Sequence, residues 1–368
     1  MPANKSQHYV PKFLLRQISS DPVPEKERKR INLYLLGSKK FVRNASIAGQ
    51  CARPYFYSKD KQIEDSITVL EGRTKMLLGD LSTDHLTRLT EDELYELRFL
   101  VNFQSQRTAI AAKRYNLVHD AMVKATLNGK LRAQGIDPDK FTVVDETAQL
   151  QTIRIALESQ ILVEDLKTCF IRSSRGQEFV LSDHPVNANN QFAEAHPYLS
   201  RKYQSACGIG NKGLQLFMPV SKDLCVAIYD PSSYEYGNGR NLIINTGRTD
   251  VRKINMLQAA NAESCIYLHS ESQDLLYLGE LSTVNKSGRE ELHAQVRKGP
   301  IVKESETKRS QIVGVGIPDL RFGIRFSFVR DVNRIDYTGY NLGAFPPRSF
   351  TQMEAAKRMR EQLRSDSG

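Results

Sequence analysis

The stretch that decides the fold is EDELYELRFLVNFQSQRTAIAAKRYNLVHDAMVKATLN, residues 91–128. Thr90 and Glu93 match a helix capping box, acidic residues fill the first turn, and Gly129 supplies a stop signal. The pattern therefore predicts one long helix from Glu91 to Asn128. Residues spaced three and four apart predict its buried seam: Leu94, Leu97, Val101, Gln104, Thr108, Ala111, Tyr115, Val118 and Met122.

Two polar residues interrupt this seam. Gln104 and Thr108 belong to it, and Arg107 lies beside them in the motif QSQRT. Burying such groups is costly unless they meet hydrogen-bonding partners. We therefore expect these side chains either to bond within the core or to line a cavity.

The flanking sequence predicts a mixed fold. Apolar periodicity and stop signals predict shorter helices over 11–18, 63–81, 146–163 and 249–262, and two apolar runs around Gly37 predict a hairpin over 31–42. A second hairpin is predicted around Ser221. The expected fold class is α+β, with an N-terminal helical bundle around the long helix packed on a mostly antiparallel β-sheet.

The domain organisation follows from the same patterns. We expect a single mixed domain over 1–345, with a mainly helical half over 1–164 and a β-rich half over 165–345. A basic C-terminal tail is expected over 346–368.

Composition narrows the class of protein. The chain has 368 residues, 40% hydrophobic and 26% charged, which is ordinary for a globular protein. No run approaches the roughly 18 apolar residues of a membrane span, and MPANKSQHYV lacks the apolar region of a signal peptide, so we expect a cytoplasmic protein without a membrane partner. Five scattered cysteines without a CxxC pair favour neither a disulfide framework nor a zinc site.

The net charge of the chain indicates which kinds of binding partner it would attract. A formal net charge of +10 creates a field that attracts phosphates and nucleic acid. The alternative is a basic surface with no specific partner, because net charge alone does not define a site.

His8 opens the motif HYVPKFLLRQIS, three residues before Pro11. Proline is favoured at the first position of a helix, so the imidazole is expected just outside a helix N-terminus. There it would serve as an acid or base next to a bound anion. The alternative is a histidine that only hydrogen-bonds within the fold.

Asp183 lies in VLSDHPV, where a predicted strand ends. Pro185 prevents helical continuation and holds His184 in an extended conformation. Strand ends often present catalytic acids or metal ligands. The alternative is an Asx-turn in which the Asp183 carboxylate caps nearby backbone.

Several motifs together resemble a widespread prokaryotic family of unknown function. They are HYVPKFLLRQIS, QSQRT, VLSDHPV, MPVS at 218–221 and INMLQAANAESCIYLHS at 254–270, and the likeness runs roughly from His8 to His269. The resemblance implies a recurring signature but no reaction, and His184 departs from it, since asparagine is more usual there. The matching positions here are His8, Pro11, Glu71, Gln104, Arg107, Asp183 and Asn255.

These positions suggest one site assembled from separate parts of the chain. The first hypothesis is an enzyme acting on nucleic acid or a nucleotide, specifically a phosphodiester-cleaving nuclease of a defence or toxin type. His8, Gln104, Arg107 and Asp183 are its candidate catalytic residues, with His8 as acid or base and Arg107 facing the phosphate. The candidate binding residues are Glu71, His184 and Asn255, and Asp183 and Glu71 are candidate ligands for Mg²⁺ or Mn²⁺.

Two alternatives remain open for the same residues. One is a non-catalytic module of a prokaryotic defence system that binds a ligand or nucleic acid. The other is a buried network that only holds helices and sheet together, since structural networks also collect ionisable residues.

Overall fold

Helices dominate the first half of the chain. The computed structural model describes residues 6–174, 176–195, 206–270, 274–290, 292–303, 309–318, 322–332, 347–351, 353–354 and 357. Its helices are α1 (Lys12–Ile18), α2 (Lys61–Leu78), α3 (Thr83–Thr87), α4 (Glu91–Gln106), α5 (Ala109–Ala133), α6 (Ala148–Glu158), α7 (Gln191–Ala195), α8 (Arg248–Asn261) and α9 (Leu275–Glu290).

The prediction of one continuous helix over 91–128 is wrong. Its start is as expected, since Thr90 and Glu93 form the capping box of α4. The helix ends at Gln106, because Thr108 adopts an extended conformation with φ −101° and ψ 161° and its side chain caps α5. The break places Arg107 and Thr108 where two helix ends meet, and α5 then continues to Ala133.

The predicted seam is buried only as far as the first turn of α5. Leu94, Leu97 and Val101 are in the core, but the fully buried residues of α5 are confined to 109–112. Met122 is 38% exposed, so the prediction of a buried seam to that residue is wrong. The physical reason is the break, after which α5 leaves the core and contacts α6 and a hairpin over 295–316.

The strands form two main sheets and three two-stranded pairs. The strands are β1 (Ser6–His8), β2 (Arg30–Leu35), β3 (Lys40–Ser46), β4 (Ala52–Pro54), β5 (Lys167–Ser173), β6 (Leu181–Ser182), β7 (Asn187–Asn189), β8 (Gln215–Pro219), β9 (Leu224–Tyr229), β10 (Tyr234–Tyr236), β11 (Ile243–Thr246), β12 (Cys265–Leu268), β13 (Gln295–Lys303), β14 (Arg309–Gly316) and β15 (Val329–Asp331). The sheet orders are β11-β5-β9-β8-β7 and β3-β2-β12-β6, and the pairs are β1-β4, β10-β15 and β13-β14. The pairing of β11 with β5 is parallel, and the other described strand pairs are antiparallel.

Both faces of the five-stranded sheet are buried, and strand alternation explains how. Successive side chains of a strand point to opposite faces. Leu216 and Met218 of β8 therefore join the core formed with α1 and α4, whereas Phe217 between them joins the core formed with α8. The five-stranded sheet therefore lies between the N-terminal helices and α8.

The α+β class with mostly antiparallel strands is confirmed, as are the hairpins β2-β3 and β8-β9. In the described part of the chain, no helix has both the length and the apolar composition that crossing a membrane requires. Most of the predicted tail over 346–368 lies outside the described residues.

Candidate functional site

Arg107 joins three separate segments at the break between α4 and α5. Its side chain is 2% exposed, its Nε donates to the Tyr57 hydroxyl at 3.0 Å, and its Nη2 donates to the backbone carbonyl of His8 at 2.7 Å. The same Nη2 donates to Glu71 Oε1 on α2. Tyr57 and Glu71 together raise the pKa of Arg107 although burial opposes this.

Gln104 fixes the same segment from one turn earlier on α4. Its Nε2 donates to the backbone carbonyl of Tyr9 at 2.9 Å, next to the carbonyl that Arg107 holds. The QxxR spacing therefore presents two donors from one helix face to two consecutive carbonyls. Both side chains position the backbone of His8 and Tyr9.

The His8 imidazole lies at the surface end of this arrangement and is half-buried. Its Nε2 is 3.2 Å from the Ala48 carbonyl oxygen, which can only accept a hydrogen bond, so Nε2 carries the proton. Burial, and then the charge of Lys12, lowers the pKa of His8 below its usual value. Near neutral pH the ring is therefore uncharged, with Nδ1 as its proton acceptor.

A cleft of about 350 Å³, here called the His8 cleft, opens in front of this imidazole. Lys12, Arg16 and Lys75 contribute positive charge, and Glu64 and Glu71 contribute negative charge. The Nε of Arg16 is buried and has no hydrogen-bond partner within the described part of the chain. Among the described residues, the lining of the cleft consists of Ser6, Gln7, His8, Lys12, Phe13, Arg16, Tyr57, Glu64, Ile67, Thr68, Glu71, Gly72 and Lys75.

Asp183 lies outside the His8 cleft, and its carboxylate accepts hydrogen bonds from backbone N–H groups. Its Oδ1 accepts the N–H of Glu263 at 2.7 Å, and its Oδ2 accepts the N–H and the hydroxyl of Ser264, each at 2.7 Å, and the N–H of Cys265 at 3.2 Å. Burial raises the pKa of Asp183, and the donors from Ser264 and Glu263 oppose that rise. The side chain is 2% exposed and does not line the His8 cleft. The carboxylate thus ties the end of β6 to the turn before β12.

Asn255 also bonds to backbone rather than facing a cleft. On α8, its Oδ1 accepts the N–H of Val180 and its Nδ2 donates to the Glu178 carbonyl, both at 2.9 Å. Gln258, one turn later, likewise accepts the N–H of Ser182 and donates to the backbone carbonyl of Pro185. Gln258 was not among the predicted site residues, although its i, i+3 spacing from Asn255 was a readable signal.

His184 lies on the other side of the helix break. Its Nδ1 is 2.7 Å from Thr108 Oγ1, and the residue is 5% exposed. Burial, and then the charge of Arg114, lowers the pKa of His184 well below its usual value. His184 lines a second cavity, which is separate from the His8 cleft.

The predicted site residues therefore fall into three groups. His8, Glu71, Gln104 and Arg107 are brought together, Asp183 and Asn255 connect strands to α8 and its following turn, and His184 faces the second cavity. Within the ranges that the structure describes, no three His, Cys, Asp or Glu side chains are grouped as ligands for a metal ion. The predicted pair of Asp183 and Glu71 is divided between the first two groups.

Comparison with known proteins gives a family match. A family model described as "Protein of unknown function (DUF4238)" matches residues 6–272. That range contains all seven predicted site residues. Neither the curated proteins nor the solved structures contain a match to this chain.

Proposed function

Because the chain belongs to the DUF4238 family, whose function is unknown, its role has to be inferred from the site, and we propose that it binds the phosphate groups of a nucleotide or nucleic acid in the His8 cleft. The observation that carries the proposal is the convergence of Lys12, Arg16 and Lys75 on one cleft with the His8 imidazole. Phosphate is the biological group that such a cluster of ammonium and guanidinium donors suits best.

The charge balance of the cleft strengthens the proposal. Lys12 and Arg16 lie four residues apart on one face of α1, and Lys75 joins them from α2. Of the two carboxylates in the cleft, Glu71 is bonded to Arg107, which offsets its charge. The net charge of +10 adds a long-range attraction for phosphates.

The proposal assigns Arg107 and Gln104 a positioning role. Their donors are used by the carbonyls of His8 and Tyr9, by Tyr57 and by Glu71, so they shape the cleft from behind. Asp183 keeps the turn before β12 in place and does not enter the cleft.

Phosphodiester cleavage is a second candidate function, and one observation favours it. The hydrogen bond from Nε2 to the Ala48 carbonyl leaves Nδ1 of a neutral His8 to accept a proton from a hydroxyl or water. The cations of the cleft would then stabilise charge that develops on the phosphate.

Binding is tested by fluorescence anisotropy with labelled single-stranded RNA, single-stranded DNA and duplex DNA at several salt concentrations. The test variant is Lys12→Ala/Arg16→Ala/Lys75→Ala, and the control Lys113→Ala/Lys130→Ala/Lys140→Ala removes the same charge at three exposed positions outside the cleft. We expect the cleft variant to lose affinity and to lower the salt slope by about 0.7 for each phosphate contact removed on a single strand. An equal loss in the control would show non-specific attraction and would overturn the proposal.

Cleavage is tested separately with the same substrates, with and without Mg²⁺ or Mn²⁺. Product formed by the wild type and not by His8→Gln, with equal binding by both proteins, would support His8 as the base. If substrates bind in the cleft and stay intact under every condition, the cleavage hypothesis is wrong while binding stands.

A further inference from the structure

A segment near the C-terminus is held against the rest of the fold by one arginine. Arg348 lies in the described segment 347–351 and is 1% exposed. Its Nε and Nη2 donate to the two carboxylate oxygens of Asp165 at 2.8 and 3.1 Å, and Nη2 also donates to the Leu162 carbonyl. A bidentate pair of an arginine and a carboxylate is strong and fixes the orientation of both groups. Arg348 is therefore anchored to the connection between α6 and β5.

The same arginine holds a loop over 206–213, here called the 206–213 loop, which precedes β8. Its Nη1 donates to the carbonyls of Ile209 at 2.8 Å and Asn211 at 3.1 Å. Its backbone N–H donates to the Gly210 carbonyl between them at 2.9 Å. Three consecutive carbonyls of the loop therefore accept hydrogen bonds from one residue.

The composition of the loop makes these hydrogen bonds important. Residues 208, 210 and 213 are glycines, and glycine loses more backbone entropy on ordering than any other residue. At Gly210 the two segments also approach each other closely, because a Cβ atom there would lie 2.7 Å from Thr351 Cγ2. The hydrogen bonds from Arg348 offset the entropy cost of holding the 206–213 loop in one conformation.

The 206–213 loop forms part of the wall of the second cavity, here called the His184 cavity, which has a volume of about 390 Å³. Cys207 and Ile209 of the loop line this cavity together with His184. The volume is within the size range of small-molecule sites. Because Arg348 holds the Ile209 carbonyl, it also sets the position of this wall.

We propose that residues 347–351 act as a latch on the His184 cavity. With Arg348 seated between Asp165 and the 206–213 loop, the loop stays against the cavity. When Arg348 leaves its partners, the loop loses three acceptor contacts at once and moves away, which opens the cavity. The closed arrangement is the resting state, because separating a buried arginine from its carboxylate is costly.

This inference does not depend on phosphate binding in the His8 cleft. Among the described residues that line that cleft, none belongs to the latch, to the 206–213 loop or to the anchor at Asp165. The failure of either proposal is therefore visible without reference to the other.

The latch is tested by the rate at which a bulky maleimide labels Cys207 in the full chain, followed for each cysteine by peptide mass spectrometry. Cys207 is half-buried in the loop, and Cys225, which is 0% exposed in β9, reports general unfolding in the same sample. The test variants are Arg348→Gln and Asp165→Asn, which break the anchor from its two sides. The control Arg240→Gln makes the same chemical change at an exposed arginine.

We expect both test variants to label Cys207 faster than the wild type, Arg348→Gln by about tenfold or more, while labelling of Cys225 stays slow. The double variant should label no faster than Arg348→Gln alone, because both substitutions break the same anchor. Arg240→Gln should label at the wild-type rate.

The proposal is overturned if Cys207 is labelled at the wild-type rate in both test variants. It is also overturned if the labelling of Cys207 and Cys225 accelerates in parallel, because that result shows general destabilisation and not a local opening. If Arg348→Gln does not fold, as judged by circular dichroism, Asp165→Asn decides alone.

Discussion

Replacing Asp183 with alanine should destabilise the protein strongly, because its carboxylate accepts four hydrogen bonds from 263–265. A hydrogen bond to a charged group contributes about 1.5–3 kcal/mol. The Cys265 N–H is buried and stays unsatisfied in the variant, whereas the donors of Glu263 and Ser264 reach solvent and are partly rehydrated. The full contribution of the Cys265 hydrogen bond and part of the contributions from Glu263 and Ser264 give a loss of about 3–5 kcal/mol in the free energy of unfolding.

Urea denaturation followed by circular dichroism measures this loss through the shift of the midpoint at constant slope. Asp223→Ala is the matched control, because Asp223 is exposed and its carboxylate accepts a local hydrogen bond from the Ser221 hydroxyl. We expect the control to change the free energy by less than about 1 kcal/mol. An Asp183→Ala protein as stable as the control would refute the positioning role and return Asp183 to the candidate catalytic groups.

Three further predictions concern the helix break. Because the folded pKa of His184 lies well below the unfolded value of 6.5, the wild type should lose up to about 1.4 kcal/mol of unfolding free energy per pH unit as the pH falls below about 6.5. His184→Asn should lose less over the same pH window in parallel urea titrations. Arg107→Met should lower the free energy of unfolding by about 3–5 kcal/mol, because its buried partners lose their hydrogen-bond donor. A double-mutant cycle with Glu71→Gln should give a coupling energy of about 0.5–3 kcal/mol, and zero coupling would mean that the ion pair is not formed. Thr108→Val should lower the free energy of unfolding by about 1–2 kcal/mol, since it removes both the cap of α5 and the partner of His184; an unchanged urea midpoint would contradict this.

Local signals predicted the helix starts and hairpins well because they depend on neighbouring residues. The break at Thr108 was missed for a specific reason. Thr108 keeps the three-and-four spacing of the seam, and it also has the side chain of an N-cap, so periodicity alone favoured a continuous helix. Its capping role depends on α5 leaving the core, which is a tertiary property that the spacing does not contain.

Four residues of the candidate site that the sequence motifs grouped are also close together in the structure. His8, Gln104, Arg107 and Glu71 were proposed together, and the structure brings them together through the carbonyls of residues 8 and 9. Asp183 was placed with them because it belongs to the same recurring signature, whereas its carboxylate meets a turn 80 residues later. Contacts over that separation follow from sheet order, which the sequence does not give.

The cations of the His8 cleft were not predicted. Lys12 and Arg16 are four residues apart and therefore share a face of α1, so two of the three cations were readable from spacing. Lys75 comes from α2, and only the packing of the two helices places it in the same cleft.

The most direct test of phosphate binding in the His8 cleft is an NMR titration that measures the pKa of the His8 imidazole with and without a nucleoside monophosphate. Free protein should show a pKa below 6.5, because burial and Lys12 disfavour the imidazolium. A bound phosphate dianion beside the ring should raise that pKa, by about 1 unit for each 1.4 kcal/mol of added interaction. A nucleotide that binds while the pKa of His8 stays unchanged would contradict the account.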